Sequence, residues 1–531
     1  MRHGDHHHKR RKEEEEREES GNGPLHHPSA PADELFDIST TVDPSYIISL
    51  IRKLLHPDER NDYNAQGDDP HNDSSGRLKI DCVEEGTASP YINGAVNHNM
   101  DAMETRYIDF NHSPKSKESD DGTYCGTEHP KTSTREEAWE ESGCILWDLA
   151  ANQYHARLMV ENLVLEVLLV NLTTPGSVRI TEISLGIIGN LACHEALMKQ
   201  IISTKGLMET IIDQVFLDDT PCLCEACRLL TLGLQGPERA TWASALQSEH
   251  ILNRVLWIAE NALNPQLVEK SVGLLLAMVE NQHEVASILL PILKNMRLLE
   301  ILVNLLSFET GKLTSERMPE RYPALDSILG AIEALSAVDD FSQEICSNKE
   351  LFRMATELVK LPDKTEIANS CVTSAVLIAN ILTDSADLAS EMSKDLLFLQ
   401  CLFDLYPFTS DDFEARNALW SIVARLLVQV RETEMNSSSL APYVSALVSK
   451  SDHIEDDLLD YQSDSSPLKH DNSTPAANSN FRTIALKRII SILNEWNRMK
   501  NCMDDESSSG GNCADDGDVS RLLECCLKHE S

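Results

Sequence analysis

The chain predicts an all-α solenoid of about six helical repeats with disordered N-terminal and C-terminal flanks. Three observations carry that prediction. An apolar helical signature, Glu182–Cys193 (EISLGIIGNLAC), returns five times: LLTLGLQ at 229–235, GLLLAMVE at 273–280, GAIEALSA at 330–337, VLIANILT at 376–383 and SIVARLLV at 421–428. The aligned residues Leu191, Leu234, Met278, Leu335, Ile381 and Leu426 are separated by 43, 44, 57, 46 and 45 residues. Four of these five gaps fall in the ~40–47-residue period of armadillo and HEAT repeats. The punctuation agrees: Gly206 precedes a helix, and Pro221, Pro237 and Pro265 each open one, as prolines at helix starts and glycines between helices do.

In chain order, residues 1–32 form a charged, low-complexity tail, with too little apolar surface to offset the entropy of ordering it. Lys9-Arg10-Arg11-Lys12 within it matches a short nuclear-import signal. Residues 33–56 hold a short amphipathic helix, opened by Asp43-Pro44 and stopped by Pro57. A helix that short is marginal alone in water, so it either caps the solenoid or enters a partner's groove. Residues 57–134 are rich in Asp, Asn, Ser and Gly and read as a disordered acidic linker.

The armadillo-like repeat domain spans 135–450. Its first helices are expected at Glu136–Asn152 and Tyr154–Leu172. Three helices per unit fit the armadillo plan better than the two of HEAT repeats. The 57-residue gap predicts an inserted polar loop, Phe308–Pro323. Residues 451–480 read as an acidic linker. Residues 481–500 form an amphipathic helix with Phe481, Ile484, Leu486, Ile489, Ile490, Leu493 and Trp496 apolar. It too either caps the solenoid, whose terminal repeats need a lid, or captures a partner. Residues 501–531 read as a disordered tail with a weak helical run at Val519–Leu527.

Composition narrows the function. There are 86 acidic against 46 basic residues, a formal net charge of −40, spread along the chain. Such a surface repels phosphate backbones and anionic membranes, so neither nucleic acid nor membrane is an expected partner. No uncharged apolar run reaches the ~18 residues of a membrane span, and no secretory signal opens the chain. Fourteen cysteines are present, many inside apolar helical runs, where a free thiol packs as a small hydrophobe. This predicts a soluble protein of a reducing compartment.

Chemistry is sparse. Cys222, Cys224 and Cys227 have the spacing of a metal cluster but run into a helix without a second ligand pair, and are expected to pack. No phosphate-binding, nucleophile-elbow or zinc-protease motif occurs. No cofactor, metal, catalytic residue or small-molecule substrate is expected. Asn190 and Asn380 precede the aligned apolar position in two repeats. In armadillo repeats that bind extended peptides, third-helix asparagines reach the peptide backbone. Asn190 and Asn380 are thus candidate protein-binding residues, although Gly186 and Val376 stand where a companion tryptophan would be.

Leu146-Trp147-Asp148, then Gly186–Cys193, then Asp218–Pro221 leading to Glu225 and Arg228-Leu229-Leu230 resemble, in order and separation, the serum amyloid A-like proteins. That eukaryotic family has an armadillo-like fold. The resemblance covers roughly residues 140–234. It implies a non-enzymatic nuclear protein linked in animals to cell proliferation, and carries over no catalytic or cofactor residue. The combined expectation is a protein–protein interaction scaffold of the nucleus, also present in the cytoplasm, holding a partner of basic character. The alternative is a transport or chaperone-type adaptor that carries basic cargo in an acidic groove.

Overall fold

The computed structural model describes residues 42–55, 133–174, 176–280, 283–464, 479–501 and 515–530. The tail 1–32 and nearly all of the 57–134 linker lie outside them. Among the described residues every regular element is helical. A lone helix α1 (Pro44–Lys53) is followed by α2 (Ser133–Ala150). Six complete triplets come next: α3 (Gln153–Glu161), α4 (Val164–Thr173) and α5 (Val178–Ala192); α6 (Glu195–Ser203), α7 (Leu207–Asp213) and α8 (Thr220–Gln235); α9 (Arg239–Leu246), α10 (Glu249–Asn261) and α11 (Pro265–Val279); α12 (His283–Lys294), α13 (Leu298–Ser315) and α14 (Tyr322–Ser336); α15 (Asp339–Ser347), α16 (Lys349–Val359) and α17 (Ala368–Asp384); α18 (Ala386–Met392), α19 (Leu396–Phe403) and α20 (Phe413–Val428). A further triplet, α21 (Ser437–Val448), α22 (Ser451–Asp464) and α23 (Ser479–Asn501), and a last helix, α24 (Asp516–His529), complete the chain.

The third helices stack in chain order, α2 on α5 on α8 and so on to α23, as one inner ladder; the second helices make an outer layer. This is an armadillo-like α-solenoid. Leu191, Leu234, Met278, Leu335, Ile381 and Leu426 are buried, one per inner helix from α5 to α20, so the repeat register read from the sequence is the packing register. The ladder extends one helix further at each end, as α2 and α23.

Gly186 and Gly189 show why this signature cannot vary freely. A Cβ on Gly186 would stand 2.2 Å from the Trp147 indole of the preceding layer, and one on Gly189 2.4 Å from the Arg228 guanidinium of the next. Side chains of both neighbouring layers lie on the bare backbone between them, a close approach only glycine permits.

Both terminal helices dock. In α1, Asp43 accepts a hydrogen bond from the Ser45 N–H (2.8 Å), and Ile47, Leu50, Ile51 and Leu54 are buried. The Trp139 indole N–H donates to the Leu54 carbonyl (3.1 Å), tying α1 to α2. At the other end α23 packs on α20, and α24 covers α23.

Several segments differ from the sequence expectation. The helix expected over 154–172 breaks at Leu163, whose φ of 64° is left-handed; α3 ends there and α4 begins. The inserted loop at 308–323 is largely helical: α13 runs on to Ser315, and Arg321 clamps the turn with two bonds to Glu309 (2.6 and 2.7 Å). The linker expected at 451–480 is helical up to Asp464, because Ile454 and Leu458 form an apolar stripe one turn apart and both are buried. Asp457 beside them is buried too, bonded to the Trp420 indole N–H (2.9 Å) and paired with Arg416 (3.1 Å). The tail expected at 501–531 holds α24, with Val519, Leu522 and Cys526 buried. By length and composition Thr365–Asp384 would cross a membrane, but it is the α17 layer, more than half buried between α14 and α20.

Cys222, Cys224 and Cys227 lie buried along α8. Cys222 Sγ sits 3.1 Å from the Val178 carbonyl oxygen. Burial pushes the Cys222 thiol far up, Cys224 to about 11 and Cys227 to about 12, so all three stay protonated and unreactive at neutral pH.

Two outcomes follow. Gly186→Ala should lower the midpoint of chemical denaturation, at a cost of about 1–3 kcal/mol for the forced displacement of Trp147; an unchanged midpoint would remove the close-approach argument. A soluble thiol reagent at neutral pH should modify the exposed Cys193 quickly, and Cys222, Cys224 and Cys227 only on unfolding, as read by peptide mass mapping.

Candidate functional site

An α-helix leaves its last four carbonyls without partners inside the helix. At three junctions of the inner ladder the following layer supplies a partner. Asn190 Nδ2 donates to the Trp147 carbonyl (2.9 Å) and His194 Nε2 lies 2.9 Å from the Ala150 carbonyl oxygen, so α5 finishes the end of α2. Arg425 on α20 donates to the Leu382 carbonyl (3.2 Å) and Thr383 Oγ1 (3.1 Å) at the end of α17. Arg488 on α23 donates to the Leu427 carbonyl (3.1 Å) and to the Val430 carbonyl beyond α20.

The two asparagines singled out from the sequence therefore belong to the inner ladder, both partly buried. Asn380 Nδ2 donates to Ser336 Oγ (2.9 Å) on α14, as Asn190 donates to α2. Each spends an amide N–H on the preceding layer. They stand four repeats apart, on α5 and α17, and do not meet. The Lys9–Lys12 cluster lies outside the described residues.

The inner face has two halves of different character. From α2 to α8 it is closed and charge-matched. Trp147 and Arg228 cover the glycines of α5. Arg228 is held by Glu225 (2.7 and 2.9 Å) and reaches the Gly186 carbonyl (3.3 Å). Arg179 is held between Glu140 (3.0 Å) and Glu182 (2.6 Å).

From α11 to α20 the floor is small and open. A Cβ on Gly273 would meet nothing within 4 Å, and one on Gly330 only Leu276 at 3.5 Å. Leu276, Ala334, Val372 and Ala418 are partly buried there. Three carboxylates stand along it: Glu280 at the end of α11, Glu333 on α14 and Glu414 at the start of α20. None of the three is in an ion pair among the described residues. Burial raises the Glu333 carboxyl above its ordinary value, and the negative charges of Glu414 and Glu280 raise it further. Glu414 stands two layers along the ladder from Glu333. The sequence showed these acids only as part of a diffuse charge, because the three positions lie on separate layers and no local pattern marks them.

Among the described residues no group of three or more His, Cys, Asp or Glu side chains could hold a metal ion.

No family profile matches the chain. It is similar to human Protein SAAL1, with 29% identity over 138 residues, 25% of this chain and 29% of that one. It is similar to the Danio rerio protein saal1, with 25% identity over 233 residues, 42% and 48% of the two chains, and to mouse Protein SAAL1, with 26% identity over 152 residues, 28% and 32%. The chain thus spans less than half the length of the curated relatives it matches. These are distant homologues bearing the serum amyloid A-like name. Among solved structures it is similar to a computationally designed armadillo repeat protein for modular peptide recognition (13% identity, 46% of this chain, 94% of that one, TM-score 0.37). It is also similar to a designed armadillo repeat protein in complex with peptide (KR)4 (14% identity, 46% and 95%, TM-score 0.37), and to an engineered protein covering 75% of this chain and 96% of its own (16% identity, TM-score 0.38).

Proposed function

We propose that the protein is a non-enzymatic interaction scaffold that holds an extended basic segment of a partner protein along its inner face from α11 to α20. The single observation that carries this reading is Glu333, a carboxylate partly removed from water between Glu280 and Glu414, with no basic residue paired to any of them among the described residues. Like charges held near one another in a partly dry groove raise the free energy of the unbound protein. A lysine or arginine from a guest supplies the missing partner. The open floor at Gly273 and Gly330 leaves room for a guest main chain.

The test uses an alternating lysine–arginine octapeptide on the full-length protein, with affinity measured by calorimetry. Binding should weaken on the order of tenfold as salt rises from about 0.1 M to about 1 M, since the screening length shrinks from roughly 10 Å to 3 Å. Because the Glu333 pKa is raised, its charge is lost as pH falls through a range that begins above ordinary carboxylates. Affinity should therefore be full near neutrality and decline on acidification earlier than an exposed glutamate would allow. Glu333→Gln should remove about 1 kcal/mol of binding and that early decline. The same change should slightly stabilise the free protein near neutrality, because a raised carboxyl pKa makes the charged form costly there. Salt-insensitive binding, or binding unchanged by Glu333→Gln, would overturn the reading.

We further propose a nuclear location, on the basis of Lys9-Arg10-Arg11-Lys12 and the serum amyloid A-like resemblance; a link to cell proliferation rests on that resemblance alone. Replacing the four basic residues by alanine should shift a fluorescently tagged protein from nucleus to cytoplasm. A wild-type protein that stays cytoplasmic when export is blocked would refute it.

A further inference from the structure

The outer layer carries a large apolar side chain that no helix among the described residues covers. Trp257 on α10 is 51% exposed, whereas Trp139, Trp242, Trp420 and Trp496 are buried and Trp147 is partly so. The ring is held in place. The Arg254 guanidinium sits 4.6 Å from its centroid. Arg254 is itself fixed by the Val215 carbonyl (2.9 Å), the Leu217 carbonyl (2.7 Å) and Asp218 (2.9 Å). Beside the indole an open groove of about 600 Å³ separates α10 from the turn between α12 and α13, lined by Leu256, Trp257, Ile292, Met296 and Ile301. Leu256 and Ile301 form a buried floor.

The rim of this groove is acidic. Glu249 and Glu260 on α10 are in no ion pair among the described residues. Arg297, the one cation that lines the groove among the described residues, is bonded to Glu300 and also feels the charge of Glu260, which leaves the lining with a net negative charge. A pre-positioned, half-exposed tryptophan beside an apolar floor, ringed by polar groups, has the anatomy of a binding hot spot.

We propose that this outer groove docks an amphipathic helix of a protein partner, which lays an apolar side chain against Trp257 and sets lysines or arginines opposite Glu249 and Glu260. Asn253 and Asn295 also line the groove, but α10, α12 and α13 pair their main-chain groups internally and offer no free backbone edge, so the guest must satisfy its own main-chain hydrogen bonds, as a helix does. The acidic rim selects a basic guest and disfavours nucleic acid and anionic lipid. A second copy of this chain, itself at −40, would be repelled. The site lies on the layer opposite the inner face and is independent of the reading given for Glu333.

The test is a phage-displayed library of randomised peptides of about 16 residues, long enough for a four-turn helix, selected on the full-length protein. The strongest binder is then synthesised and measured against variants. It should show helical apolar periodicity and a net positive charge. Trp257→Ala should weaken it about tenfold or more, Trp257→Phe should restore part of the loss, and Glu249→Lys with Glu260→Lys should weaken it further. Glu333→Gln should leave it unchanged. Trp257 is half exposed, so thermal melting should confirm that its variants fold; if the alanine variant does not, the double charge reversal carries the test alone. No enriched peptide, acidic binders, binders indifferent to Trp257→Ala and the charge reversals, or self-association abolished by Trp257→Ala would each overturn the proposal.

Discussion

At three junctions of this solenoid an inner helix depends on its successor to satisfy its last carbonyls. Where the donors are visible they are an asparagine and a histidine (Asn190, His194) or an arginine (Arg425, Arg488), all reaching back to the preceding layer. A carbonyl left unpaired in a buried place costs about 1–3 kcal/mol. The end of α2 is therefore finished only when α5 is folded against it, and the end of α20 only when α23 is. The glycines of α5 add the same dependence sideways, since the Trp147 and Arg228 side chains that cover them come from α2 and α8. In a linear array, such nearest-neighbour terms give stability its cooperativity.

A chain of mutual dependences must end somewhere, and both ends of this one are engineered by the sequence rather than left open. At the start, α1 buries four aliphatic side chains and accepts the Trp139 hydrogen bond through its last turn. At the far end the arrangement is more polar. Arg488 and Ser491 on α23 both bond Glu432 in the preceding loop. Asp457 on α22 ties Trp420 and Arg416 of α20 in a buried ion pair. Removing one partner of a buried pair is far more costly than the pair is stabilising. Such contacts therefore hold α22 and α23 in one register rather than adding much net stability.

The inner ladder was legible in the sequence because each repeat needs only a few apolar positions at fixed spacing, and six copies reinforce one another. The weaker signals failed for physical reasons. The 451–480 stretch is acidic, and composition outweighed the two aliphatic residues, Ile454 and Leu458, that make α22 a packed helix. Val519, Leu522 and Cys526 carried a helical run that reads as weak until α23 is there to bury it. Asn190 and Asn380 were visible as inner-face residues, but their partners lie 43 and 44 residues away in sequence, across a layer boundary that no local pattern encodes. Trp257 is the converse case. In EHILNRVLWIAEN it reads as one more apolar residue, and only the offset between α10 and α13 leaves it in the open.

Charge divides the molecule where packing does not. From α2 to α8 the inner-face cations Arg179 and Arg228 each find acids of their own or the adjoining layer. From α11 to α20 Glu280, Glu333 and Glu414 find none, and the repulsion among them is a cost that the surrounding layers carry. A globular core would spread such a cost over a single cooperative unit. A solenoid confines it to the repeats concerned, because each layer answers only to its neighbours. The fold can thus keep a stretch of groove in a state that a cationic guest improves, while the Trp147 and Arg228 contacts on one side and the α23–α24 lid on the other hold the rest of the array in place. That separation between the repeats that secure the array and the repeats that stay unsatisfied is the physical basis of the binding role proposed for the inner face.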